Sequence, residues 1–343
     1  MIQLVMIFLA FACSLLLTRY LTIPGTWFYI LDHPNERSLH DSPTPRAGGL
    51  AIFITIALFI VFISATTDLD LSDLLWLAAG SVLVALVSFV DDYMNLSFLF
   101  RLMVQTIAAG IVIYGGFSIS DIQFPGFMLV LPDFVSYAIT GLFIIWMTNL
   151  YNFMDGMDGF AGGMTVTGFG TLTLVGWLAG NDEFMLVNAL ITSATAGFLV
   201  FNFPPARIFM GDVGSSFLGF LAAGNSIWAS KLEILPLWFS ILIFSPFIVD
   251  ATVTLLRRLI SGKKVWEAHK THYYQILAES GWGHKRTVLC EYALMLLCAL
   301  SAVLALGQPP RVHWMIITFW IVAYILFMIA VSLLAERYQK LVK

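Results

Sequence analysis

Apolar residues in this chain fall into long runs separated by short polar stretches, and the runs recur from one end to the other. Each is about 17 to 22 residues, enough for a helix to cross the roughly 30 Å hydrocarbon core of a bilayer. In lipid every backbone N–H and C=O must be paired within the structure, and here helices rather than barrel strands meet that demand. The pattern predicts spans at about 2–18, 48–65, 73–90, 102–117, 134–150, 160–179, 184–201, 214–230, 234–255, 287–307 and 313–334, eleven in all. The fold class is therefore all-α, a polytopic transmembrane helical bundle. The first run lacks a basic segment before it and a small-residue cleavage site after it, so it is expected to stay as the first span. No soluble domain, low-complexity tract or internal repeat interrupts the pattern, and 1–343 is expected to form one domain.

Composition agrees: 59% of the residues are hydrophobic and only 11% charged, against about a quarter charged in a soluble domain. The placement of the charges adds an orientation. With the N-terminus outside, the odd-numbered loops face the cytoplasm and hold all 17 Lys and Arg, from Arg19 and Arg37 to Lys343, except Lys231 and Arg311. Such a bias places the C-terminus in the cytoplasm, and it also checks the count, because one missed span would scramble the later loops. The outer loops, such as 66–73, are short and acidic or neutral. A net charge of −4 gives no reason to expect a nucleic-acid partner. Cys13, Cys290 and Cys298 lie in apolar runs without metal-binding spacing and read as small buried hydrophobes.

Nearly all the unusual polar residues fall in five cytoplasmic loops, 31–49, 90–101, 149–163, 202–216 and 257–286. Loops on one face of a bundle can share one pocket. Asp91 and Asp92 end the third span, where the negative end of the helix dipole makes two carboxylates unfavourable unless a cation compensates. In NFMDGMDGF, 152–160, Asp155 and Asp158 are each followed by Gly, and Asn149 and Asn152 precede them. One Asp-Gly would read as a turn. Two, with the asparagines, offer several oxygen ligands on a backbone bare enough to approach Mg²⁺ or a nucleotide.

In FMGDVGSS, 209–216, Asp212 lies between two glycines, with serines placed to cap the next span. A carboxylate beside the free N–H groups of a helix N-terminus suits a Mg²⁺-bound phosphate. His269 and His272, three apart and on one face if helical, sit in a basic loop with Arg257, Arg258, Lys263, Lys264 and Lys270. The pair alone does not define a zinc site. Opposite several carboxylates, these donors are what a pyrophosphate with its Mg²⁺ would need. Asp250 is a carboxylate inside a span, expected to face the floor of the pocket.

Taken together, Pro45-Arg46-Ala47-Gly48-Gly49, Asp91-Asp92, the stretch from Asn149 to Gly159, Phe209-Met210-Gly211-Asp212 and the loop His269-Lys270-Thr271-His272 resemble the polyprenyl-phosphate N-acetylhexosamine-1-phosphate transferases. The resemblance implies transfer of an N-acetylhexosamine-1-phosphate, GlcNAc, FucNAc or QuiNAc, from a UDP-sugar to undecaprenyl phosphate, with release of UMP. It implies Mg²⁺, with Mn²⁺ as a substitute, on Asn152 and Asp212, and Asp91 and Asp92 near the lipid phosphate. Asn149, Asp155, Asp158 and Arg46 would serve the nucleotide side, and His269 and His272 the pyrophosphate. The implied setting is the bacterial inner membrane with a cytoplasmic site, and a homodimer is left open. The phospho-MurNAc-pentapeptide translocases of this superfamily carry three adjacent histidines where this chain has HKTH, so the resemblance is to the O-antigen-initiating branch. The translocase activity is the first alternative. A cation-coupled transporter is an alternative of another class, although its site would sit near the bilayer midplane rather than on loops.

Overall fold

The computed structural model describes residues 2–26, 28–34, 42–66, 74–264 and 269–342. Arg37 and Lys343 of the basic set and most of the outer loop 66–73 lie outside these residues. The helices are α1 (Ile2–Leu21), α2 (Gly48–Thr66), α3 (Leu74–Met94), α4 (Phe98–Tyr114), α5 (Asp133–Met154), α6 (Phe160–Leu178), α7 (Asp182–Asn202), α8 (Gly211–Lys231), α9 (Leu237–Ile243), α10 (Ser245–Ile260), α11 (Tyr273–Leu277), α12 (Gly283–Ala305) and α13 (Pro310–Val342). Two short antiparallel pairs, β1 (Leu31–Asp32) with β2 (Thr44–Pro45) and β3 (Asp121–Phe124) with β4 (Phe127–Val130), add the strands that the apolar pattern leaves out.

Each of the eleven predicted runs overlaps a helix or the bent pair α9–α10. Among the described residues, seven helices are long and apolar enough to cross a membrane, or eight if α9 and α10 make one span. The protein is a multi-pass membrane protein. α4 is shorter than the seven, and α6 and α8 carry many Gly, Ser and Thr residues that lower their hydropathy. α8 faces other helices rather than lipid, with every residue from Val213 to Ala229 buried, while α6 is largely buried except towards its end, where Leu174, Trp177 and Leu178 are exposed.

The run 234–255, expected as one span, is not one straight helix. It is broken at Phe244, where α9 and α10 meet at 81°. Pro246, in the first turn of α10, has no N–H to continue a helix through this point.

α8 is the axis of the bundle, packed against α2, α3 and α5, while α7 packs between α1 and α6. Small residues let the helices approach. A Cβ on Gly49, at the start of α2, would strike the backbone of Gly214 in the first turn of α8. Gly48 N–H and Gly49 N–H donate to Phe209 C=O and Met210 C=O at 3.0 and 2.7 Å, and Phe209 N–H donates to Pro45 C=O at 2.7 Å. The Pro45–Gly49 segment is thus stitched to Phe209–Met210, and α8 starts at a fixed place beside α2. At about 50 Å, α13 exceeds the membrane core. Its last turns reach back to the loop at Gly281, beside Tyr338.

Candidate active site

The loops that join α1 to α2, α3 to α4, α5 to α6, α7 to α8 and α10 to α12 meet on one face of the bundle. There they enclose a cavity of about 220 Å³, lined by Asp32, Arg46, Asp92, Asp155, Asp158 and Asp212 among others, with Gln275 and His284 from the last loop. A narrow crevice of about 20 Å³ lies beside it, lined by Asp91, Arg101, Gln105, Asn149, Asn152 and Ser216.

The three acids of the helix ends are not on loops. Asp91 and Asp92 belong to the last turn of α3, and Asp212 to the first turn of α8. Neighbours on a helix point about 100° apart, and the acidic pair divides accordingly. Asp91 faces the crevice, where it accepts from Leu96 N–H at 2.6 Å and pairs with Arg101 Nη1 at 2.9 Å. Asp92 faces the cavity. Its carboxylate oxygens lie 3.4 Å from the N–H groups of Asp212 and Val213, at the start of α8, and Arg46 Nε lies 3.7 Å away. Arg46 also donates through Nη2 to the Asp92 carbonyl.

The two compartments touch at Asn152 and Asp212. Asn152 Nδ2 donates to Asp212 Oδ1 at 2.8 Å and to Ser215 Oγ at 3.1 Å. Arg101 Nη1 stands 3.9 Å from the other Asp212 oxygen, so this acid has a cation beside it that its sequence neighbours do not supply. Ser215, expected as a cap, lies inside α8 and returns its hydroxyl to Gly211 C=O at 3.2 Å; Met210 holds the cap position. Gly211, at φ +75°, makes the turn into the helix, and a Cβ there would strike the Arg46 carbonyl.

Asp155 follows α5 as its cap residue, with its N–H on Asn152 C=O. No side chain among the described residues pairs with its carboxylate. Burial, then Asp212, Asp92 and Asp158, push its pKa well above the ordinary carboxylate range. Asp158 is anchored by Ala206 N–H at 3.0 Å and by His284 Nδ1 at 3.2 Å. Asn149 points into the crevice, its amide on Gln105 Oε1 at 2.6 Å and on Ile145 C=O at 2.7 Å, and does not line the cavity.

The histidine loop differs from expectation. His269 and His272 do not share a helix face, because α11 begins after His272, although their rings lie 4.9 Å apart. His272 is only 2% exposed and lines neither compartment. Asp250 lies behind it rather than on the pocket floor. Its carboxylate takes the N–H groups of Tyr273 and Tyr274 at 2.9 and 3.0 Å, the Thr254 hydroxyl at 3.1 Å and His272 Nδ1 at 3.3 Å. A buried acid thereby caps α11 and holds the loop. His269 is half-buried. Burial first, then His272, Arg258 and Arg257, lower its pKa to about 4, so its imidazole is neutral at pH 7.

Two residues of the site were legible only weakly. Arg101 counts in the sequence as one more inner-face cation, and His284 stands in the last loop at no diagnostic spacing.

Two side chains, Asn152 and Asp212, could together hold a magnesium ion. Among the described residues no group of three or more His, Cys, Asp or Glu side chains is placed to hold a metal ion. Mg²⁺ is commonly held by one or two protein oxygens, with water and substrate phosphates filling its shell. Asp212 and Asn152 give that kind of open donor pair, beside Asp155, whose carboxylate pairs with no side chain among the described residues. Rotating the Asn152 amide exchanges its nitrogen for its oxygen at the same place.

The sequence comparisons agree with one another. The profile of glycosyl transferase family 4 matches residues 74–230. The probable undecaprenyl-phosphate N-acetylglucosaminyl 1-phosphate transferase of Bacillus subtilis strain 168 is 28% identical over 312 residues, covering 88% of this chain and 82% of the relative. The decaprenyl-phosphate N-acetylglucosaminephosphotransferase of Mycobacterium tuberculosis H37Rv is 29% identical over 310 residues, 81% of this chain and 76% of the relative. The phospho-N-acetylmuramoyl-pentapeptide-transferase of Oceanobacillus iheyensis is 31% identical over 280 residues, 76% of this chain and 83% of the relative. With this likeness extending over most of both chains, the protein belongs to glycosyl transferase family 4, the polyprenyl-phosphate hexosamine-1-phosphate transferases.

Proposed function

We propose that this protein transfers N-acetylglucosamine-1-phosphate, or a close N-acetylhexosamine-1-phosphate, from its UDP-sugar to undecaprenyl phosphate, giving undecaprenyl-diphospho-sugar and UMP. The observation that carries the reading is the Asn152–Asp212 contact at the boundary between two polar compartments, one for each substrate. The larger cavity, with Asp155, Asp158 and Arg46, takes the nucleotide-sugar. The crevice with Asp91 and Arg101 marks the side from which the lipid phosphate arrives. A surface-polysaccharide-initiating role, as in O-antigen synthesis, is favoured over the MurNAc-pentapeptide reaction. Two relatives named for N-acetylglucosamine support this, as does the loop His269–His272 without three adjacent histidines.

An oxygen of the acceptor phosphate attacks the β-phosphorus of the donor, and the bond from that phosphorus to the UMP oxygen breaks. Positioning and charge neutralisation carry most of such a transfer. Arg101 orients the acceptor, and Asp158 with His284 borders the donor. Asp212 and Asn152 would hold Mg²⁺, which when bound neutralises the negative oxygens of the pyrophosphate. The second pKa of a phosphate monoester is about 6, so its proton is mostly gone at neutral pH. Asp91 and Asp92, each already paired with an arginine, therefore act by holding the cations in place more than as bases.

The same reading places the protein in the bacterial plasma membrane with eleven spans, the N-terminus outside and the site in the cytoplasm, where UDP-sugars are made. A panel of UDP-N-acetylhexosamines with polyprenyl phosphate, scored by UMP release from purified protein, tests it. Release from UDP-N-acetylglucosamine supports the reading, and no release from any donor at saturating Mg²⁺ sinks it. UMP exchange into UDP-sugar without acceptor would instead mark a double displacement.

A further inference from the structure

The hairpin β3–β4 joins α4 to α5 at the membrane face opposite the cavity, and its burial pattern is unusual. A hairpin exposed to water normally turns one apolar face to the protein and one polar face outward. In β4, Phe127, Met128, Leu129 and Val130 are 58%, 59%, 50% and 67% exposed. Successive residues of a strand point to opposite faces, so both faces of β4 are apolar and open. In water such a two-stranded ribbon is marginal, and its bare apolar edge is a template for aggregation.

The patch is continuous with the lipid-facing surface of the bundle. Tyr114 at the end of α4, Phe134 at the start of α5, and Trp314 and Met315 on α13 are exposed around it. Trp314 Nε1 donates to Pro125 C=O at 3.0 Å and ties the hairpin turn to α13. Exposed Trp and Tyr rings at one level are the mark of a membrane interface. No Lys or Arg occurs from Gly115 to Val135; the cations at this face are Lys231, whose Nζ lies 4.9 Å from the Phe117 ring, and Arg311 in the first turn of α13.

We infer that the β3–β4 hairpin is seated in the headgroup–acyl boundary of the leaflet opposite the active site, with the lipid surface as its partner. The depth follows from the backbone. The outer edge of β4 has no strand partner among the described residues, and its N–H and C=O groups need water. They are excluded from the hydrocarbon core, while the side chains reach the acyl chains. This inference rests on the membrane placement and is independent of the proposed reaction.

The test uses the full chain with its three cysteines replaced by alanine, reconstituted in phosphatidylcholine vesicles. Met128→Cys and, separately, Leu129→Cys carry an environment-sensitive nitrobenzoxadiazole label. Asp182→Cys, on the exposed first turn of α7, is the aqueous reference. Both hairpin labels are expected to emit blue of the reference. Lipids spin-labelled near the headgroup should quench them several-fold more than lipids labelled deep in the chain or than aqueous iodide. Iodide quenching equal to the reference would overturn the inference by placing the hairpin in water. Labels shielded from both lipid and iodide would also overturn it, by showing that protein covers the strand.

Discussion

Asn152 Nδ2 lies 2.8 Å from Asp212 Oδ1, bringing together two residues sixty positions apart at the boundary of the cavity and the crevice. Replacing Asp212 with Asn, or Asn152 with Ala, is expected to lower turnover roughly 100-fold or more, the scale of losing an electrostatic stabiliser of phosphoryl transfer. Retention of near-normal turnover at saturating Mg²⁺ would remove both from the metal role. A matching thermal melt of the purified variant separates this loss from misfolding.

Arg101 sits 2.9 Å from Asp91 and 3.9 Å from Asp212, on the crevice side. Arg101→Gln should raise the KM for polyprenyl phosphate roughly tenfold, the value of one charge-assisted hydrogen bond, and leave the KM for the UDP-sugar nearly unchanged. An increase confined to the donor would assign the crevice to the other substrate.

Asp250 receives two backbone N–H groups and an imidazole inside the protein. Asp250→Ala strands them and should cost roughly 3 kcal/mol, read as a lower melting temperature together with lost activity. Asp250→Asn keeps one acceptor oxygen and should fall between the two.

Among the described residues Asp155 has no cationic partner, and it stands among Asp92, Asp158 and Asp212. Asp155→Asn removes one crowded charge, so in a chelator the variant should melt higher than the native protein. Added Mg²⁺ should narrow the gap, because a cation relieves the same repulsion. A gap indifferent to Mg²⁺ would argue against a cation in this pocket.

His269 has a folded pKa lowered from 6.5 to about 4. Between those values the unfolded chain binds more protons, so the stability linked to this residue is complete above about pH 6.5 and is lost as the pH falls towards 4. His269→Gln should flatten part of the decline in melting temperature between pH 7 and 5. An unchanged decline would place its origin elsewhere.

The apolar run lengths determined the helical bundle, because no other local structure satisfies an isolated backbone in lipid. Asp-Gly repeats, paired aspartates and Gly-Asp-Val-Gly likewise stand out in a chain with so few charges, and Arg46, Asp92, Asp155, Asp158 and Asp212 do line one cavity. What sequence spacing did not contain was direction. Asp91 and Asp92 differ by one position yet face different compartments, since adjacent residues on a helix diverge by about 100°. Asn149 turned from the cavity towards Gln105, and His272 turned from it towards Asp250, because those partners lie on other helices. Arg101 and His284 entered the site for the same reason. The break at Phe244 had a local cause in Pro246, but its 81° angle is set by packing. The sequence by itself determined which residues are polar enough to do chemistry and that the chain crosses a membrane. Only the tertiary structure decided which of them meet, because contacts between helices depend on rotation and register that no single helix encodes.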